Sequence, residues 1–166
     1  MKRASLLSHL RDIIILPFTV TVIVPYLLYN EEQGIIPDHI SLKVVGWMML
    51  AAGATLFFYT VFLFDTIGKG TLAPWASPRK LVIAGPYQYC RNPMITGVLF
   101  ILLGEVCLFH STNLLIWAGI FFIINTLYFI LKEEPTLYRR FGEDYRIYKE
   151  NVPRWIPRWK PYYLKT

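Results

Sequence analysis

Residues 94–131 read MITGVLFILLGEVCLFHSTNLLIWAGIFFIINTLYFIL, two apolar runs (94–109 and 114–131) parted only by His110, Ser111, Thr112 and Asn113. A bilayer core about 30 Å thick takes roughly 20 apolar residues as helix. A polar link this short makes two such helices antiparallel neighbours, so the stretch predicts a membrane hairpin. Towards the N-terminus, residues 44–64 form an uncharged run with Gly46 and Gly53 available for close helix packing. Residues 13–29 form another, interrupted by Pro17 and Pro25, which membrane helices tolerate better than soluble ones. That first run is too long, and too poor in small residues at its end, for a cleaved signal peptide. The expectation is an all-α, polytopic membrane bundle of about four transmembrane helices, the last two a hairpin.

Composition agrees. The chain has 166 residues, 55% hydrophobic and 17% charged, where soluble domains carry about 25% charged residues. A chain this short cannot bury so much apolar surface against itself. The formal charge is +6, but Lys and Arg fall between apolar runs and not along one face, which excludes a nucleic-acid partner. The loop charges orient the chain. The segment before the first run carries +2 (Lys2, Arg3, Arg11, Asp12), and the next loop −2 (Glu31, Glu32, Asp38, Lys43). The middle loop carries +3 and the tail after Leu131 carries +4. Basic loops stay cytoplasmic, so both termini and the middle loop are predicted to be cytosolic.

The tail is different material. Leu137, Phe141, Tyr145, Tyr148 and Val152 share one helix face with charged residues elsewhere, predicting a C-terminal amphipathic helix at the membrane surface or against the bundle. Pro135 suits its first turn, and Glu133 and Glu134 suit the positive end of its dipole. Pro153 and Pro157 stop it, and Trp155, Trp159, Tyr162 and Tyr163 read as interfacial aromatics. The chain thus divides into N-terminal helices (1–65) and a second region (66–166).

Chemistry concentrates in that second region. His9, His39 and His110 are too scattered for a metal site, and Cys90 and Cys107 read as unpaired thiols. Gly68-Lys69-Gly70 lacks the strand and helix of a phosphate loop. Glu105 sits inside an apolar run, where an ionisable group serves either helix–helix hydrogen bonding or function. Residues 68–97 pack glycines and prolines around Arg79, Lys80 and Arg91. This is either an ordinary basic loop or one shaped for a ligand. Lys132-Glu133-Glu134 stands at the same end of the hairpin, as a solvated helix start or as half of a polar mouth. Such a mouth suits a polar, partly cationic cofactor above a lipophilic substrate.

Leu81-Val82, Gly85-Pro86-Tyr87, Arg91-Asn92-Pro93-Met94 and Gly97 resemble the loop entering the catalytic hairpin of isoprenylcysteine carboxyl methyltransferases. Glu133-Glu134, Leu137, Phe141-Gly142, Tyr145, Tyr148 and the ending from Pro153 to Pro157 resemble that family's C-terminal signature. Gly68-Lys69-Gly70-Thr71 through Pro74-Trp75 resembles a variant of bacterial-type members. The blocks cover roughly residues 66–158. Asn92, Ile95 and Phe129 stand where eukaryotic members have His, Tyr and a substrate-binding Arg.

The resemblance implies S-adenosyl-L-methionine as cofactor, held by the loop and the hairpin ends. Arg79, Lys80, Leu81 and Val82 would line it, Tyr87 would pack on it, and Asn92, Pro93, Met94 and Ile95 would close around it. Glu133 would accept hydrogen bonds from its polar groups. Arg91 would hold an anionic group of the substrate, and Glu134 or a tyrosine would matter where an amine must lose a proton. The implied reaction is carboxyl O-methylation of a lipophilic, isoprenylcysteine-like or lipidated acceptor at the cytosolic face. N-methylation of a phospholipid amine is the alternative. An NADPH-dependent sterol-type reductase and a membrane scaffold are the remaining rivals.

Overall fold

The computed structural model describes residues 14–29, 36–68 and 80–163. Helix α1 runs over Ile14–Ile23 with widened π turns and continues as Val24–Leu28. Pro17 and Pro25 explain the loosening, since each lacks the N–H that an α turn needs. Helix α2 is Ile40–Leu63 and ends in a π turn, Phe64–Gly68. A short 3-10 turn, Gly85–Gln88, precedes helix α3, Pro93–Phe109, which has proline at its favoured first position. Helix α4, Thr112–Tyr128, passes through a second π turn, Phe129–Glu133, directly into α5, Glu134–Phe141. Helix α6 is Glu143–Asn151.

Helices α2 and α3 form the closest pair, and glycine is the reason. Gly53 faces Gly97 and Gly46 faces Gly104, so both helices carry their glycines two turns apart on the contact face. A Cβ added to Gly53 would lie 2.6 Å from the Gly97 carbonyl oxygen, and one on Gly104 would lie 2.8 Å from the Gly46 oxygen. Backbone meets backbone along this seam, the approach that small residues permit in membrane helices. The adjoining core is Phe57, Val98, Leu102, Ala118 and Phe121. Helix α1 joins it through Val20, whose carbonyl accepts a hydrogen bond from Trp117 Nε1 at 3.1 Å.

Outward faces are apolar. Tyr26, Leu27, Trp47, Phe58, Ile123 and Leu131 are each more than half exposed, a surface suited to lipid and not to water. Two helical stretches, Ile40–Gly68 and Thr112–Phe141, are long and apolar enough to cross a membrane, while the apolar helices Pro17–Leu28 and Pro93–Phe109 are shorter. The fold is an all-α bundle with membrane-length helices.

The structure revises two expectations about local form. The link between α3 and α4 is two residues, His110 and Ser111, because Thr112 and Asn113 begin α4 and His110 ends α3 in a left-handed conformation (φ 52°). The amphipathic tail is two helices, not one. Gly142 breaks it at φ 54°, a backbone state that glycine adopts without the Cβ penalty. Its apolar stripe turns inward: Tyr145, Tyr148 and Val152 are buried against Leu81, Ile83, Leu137, Phe141 and Tyr162.

Candidate functional site at the polar end of the bundle

The tail and the loop before α3 are laced together. Tyr148 Oη donates to the Tyr87 carbonyl at 2.6 Å. Three backbone bonds follow: Arg91 N–H to Pro153 O (2.9 Å), Arg158 N–H to Tyr89 O (3.0 Å) and Tyr162 N–H to Gln88 O (3.1 Å). On its other side the loop rests on α2. Gly85 takes a positive φ of 55° there, and a Cβ would meet Leu63 and Tyr59 at 3.0 Å.

Glu134 is the hub. Its side chain is 7% exposed and meets three cations. Arg91 Nη1 donates to Oε1 at 2.8 Å, Arg154 donates to the same oxygen through Nε (2.9 Å) and Nη2 (2.7 Å), and Lys149 Nζ reaches Oε2 at 2.8 Å. Burial alone would raise this carboxyl, but Lys149, Arg154 and Arg91 outweigh it and hold it below its ordinary value. Arg91 Nη1 also donates to Tyr145 Oη at 3.4 Å. Burial, then the Glu134 charge, pushes the Tyr145 phenol up to about 12.

Glu133 is the opposite case. It is half-buried just past the apolar part of its helix, which ends at Leu131. Burial, followed by the neighbouring charge of Glu134, raises it to about 7. Adjacent residues of like chemistry thus differ sharply, because Glu134 meets three cations whereas burial and the Glu134 charge act on Glu133.

The other sequence-predicted positions separate into two groups. Val82, Tyr87 and Pro93 are buried, with Tyr87 packed on Leu63, Val82 and the Phe64 ring (5.7 Å between centroids). Met94 and Ile95 are half-buried against the helical core, Leu81 packs on the tail, Asn92 caps α3 without a side-chain bond, and Lys80 is exposed. Arg79 and His9 lie outside the described residues. Cys90 is 4% exposed, and burial pushes its thiol up to about 11, so it is an inert core thiol. Among the described residues no group of His, Cys, Asp and Glu could hold a metal.

Sequence reasoning missed Lys149, Arg154 and Trp155 as members of this cluster. Trp155, read as an interfacial aromatic, packs on Phe122 (5.1 Å) and Phe129 (5.7 Å) of the α4 stretch. Trp159 is 99% exposed and keeps the interfacial character. The basic excess of the tail was visible, but which cation pairs with a carboxylate 20 residues away was not.

The donor set fits a cationic cofactor. S-adenosylmethionine carries a sulfonium and an ammonium, and Glu133 is a half-buried carboxyl that, after burial and Tyr148, contributes to raising the Tyr87 phenol. A membrane-associated helical bundle whose polar end can receive such a ligand defines the class. Residues 39–144 match the phospholipid methyltransferase family. That is well over half of the chain, which belongs to this family and is a membrane-associated S-adenosylmethionine-dependent methyltransferase. An uncharacterised protein of Haemophilus influenzae is 41% identical over 46 residues, spanning 26% of this chain and 73% of that protein. No solved structure matches the chain.

The family match corrects the resemblance to isoprenylcysteine carboxyl methyltransferases. Of the blocks that suggested it, residues 69–75 lie outside the described residues and the others sit in the loop before α3, the start of α3 and the tail. Phe129, which that resemblance set against a substrate-binding Arg, is 6% exposed and meets the Trp155 ring edge to face.

Proposed function

We propose that the protein methylates the amine headgroup of a phospholipid, using S-adenosylmethionine, at the cytosolic face of a membrane. The family match over residues 39–144 carries this reading, and the apolar outer faces of α2 and α4 support it by offering acyl chains a surface to lie along. In this reading four helices span the bilayer, and the basic middle loop and tail face the cytosol. Region 66–166 is the catalytic part.

The cofactor, when bound, supplies a methyl group already activated on sulfur. Lys80 to Val82 with Tyr87 and Asn92 to Ile95 wall that ligand and exclude water. Glu134 fixes Arg91, which orients the acceptor's anionic group. Glu133 accepts hydrogen bonds from the ammonium groups brought to it. It also takes the proton an acceptor amine must lose before its lone pair can attack. A value near 7 suits that task, whereas Glu134 is spent on its cations.

Purified protein in vesicles containing phosphatidylethanolamine, supplied with methyl-labelled cofactor, tests this. Label is expected in base-stable N-methyl phospholipid. Label released as methanol by base would mean an ester product and would overturn the amine reading.

A further inference from the structure

The tail and the loop before α3, which latch together around Glu134, leave two buried donors without acceptors: Arg91 Nε and Trp155 Nε1. Each such donor costs stability unless something accepts from it. The Arg91 side chain is 10% exposed. The Arg91 N–H to Pro153 O bond fastens its segment to the one that carries Trp155, and Glu134 ties Arg91 to Arg154 beside it. The charge around these donors is positive, because Arg91, Arg154 and Lys149 share one carboxylate. Trp155 lies on Phe122 and Phe129, at the edge of a helix whose Ile123, Ile124 and Leu127 face outward.

We infer that Arg91 Nε and Trp155 Nε1 form a two-donor seat for an oxyanion, the phosphodiester of the lipid acceptor. The inference rests on the phospholipid reading above and adds the group that selects the headgroup. Two N–H donors in a net positive, water-poor setting match an oxyanion, and the apolar face beside Trp155 gives the attached chains their path. Trp155 lies beyond residues 39–144, so the family-matched part of the chain would be incomplete as an acceptor site without this tail. A cofactor carboxylate has the same chemistry, and the experiment separates the two sources.

Trp155→Phe removes the N–H and leaves a smaller aromatic ring against Phe122 and Phe129. In full-length protein with isotope-labelled indoles, the Trp155 resonance is the one that this variant lacks. It is expected to move on addition of short-chain phosphatidylethanolamine and to stay in place with the corresponding diacylglycerol, which has no phosphodiester. The variant is expected to bind the phospholipid about tenfold more weakly, with cofactor affinity unchanged by calorimetry. A resonance moved by S-adenosylmethionine and not by the phospholipid would assign the donor to the cofactor and overturn the seat. A resonance moved by neither would overturn it as well. Movement with phospholipid in a protein that transfers no methyl group would keep the seat and reject the methylation reading instead.

Discussion

The glycine seam between α2 and α3 and the charged latch around Glu134 both join segments distant in sequence, by opposite means. The seam works by subtraction: at Gly46, Gly53, Gly97 and Gly104 there is no side chain, and carbonyl oxygens sit where a Cβ would go. The latch works by addition, with three long cationic side chains converging on one carboxylate. The first is indifferent to pH and salt. The second titrates and can be screened where Lys149 reaches solvent. The difference places rigidity in the apolar bundle and adjustability at its charged end.

Gly53→Val breaks the seam and carries the largest effect. The obstacle at 2.6 Å is backbone, which cannot rotate away, so the helices must separate. A loss of about 3 kcal/mol is expected, read as a fall in unfolding temperature in detergent that is the same at acidic and neutral pH. Glu134→Ala breaks the latch at a cost of about 2 kcal/mol, discounted because two of the three cations are partly solvated. Glu134 has a lowered value in the folded state, so its contribution is present above the ordinary 4.5 and is lost as pH falls through the lowered one. The gap between parent and variant should therefore close in acid, whereas the Gly53→Val gap should not.

The smallest effect on stability, and of opposite sign, is expected for Glu133→Gln. A carboxyl raised to about 7 favours folding only while protonated, and that contribution is lost as pH rises through about 7. The Gln variant should thus melt slightly higher than the parent at about pH 8. It should also bind cofactor more weakly there and lose the roughly tenfold strengthening of binding expected between about pH 6 and pH 8. Higher affinity in the variant would remove Glu133 from the ligand site.

What could be read from the chain alone follows the range of each interaction. Apolar runs and the prolines at 17 and 93 are local, and they located the membrane helices to within a few residues. The availability of Gly46 and Gly53 for packing was legible, but their partners were not. That Gly97 and Gly104 repeat the same spacing gains meaning only once the two helices run antiparallel. The stripe from Leu137 to Val152 continued across Gly142, so periodicity hid the break between two helices. Glu134 was legible as a functional candidate, but its partners lie 43 and 20 residues away, and no local pattern encodes that. The loop and tail motifs spoke for a methyltransferase, while contacts such as that of Phe129 with Trp155 form only in three dimensions.

The π turn over Phe129–Glu133 has one more consequence. A π turn holds one residue more than the α turn it replaces, so it acts as a phase shift in the helix. Tightening that turn to α with every residue kept would swing everything beyond it by about 100° around the axis. The apolar span would keep almost its full length, yet Glu134 would point away from Arg91 and Arg154. Membrane fit and site assembly are thereby uncoupled at one turn, and a change of winding there can erase the second while sparing the first.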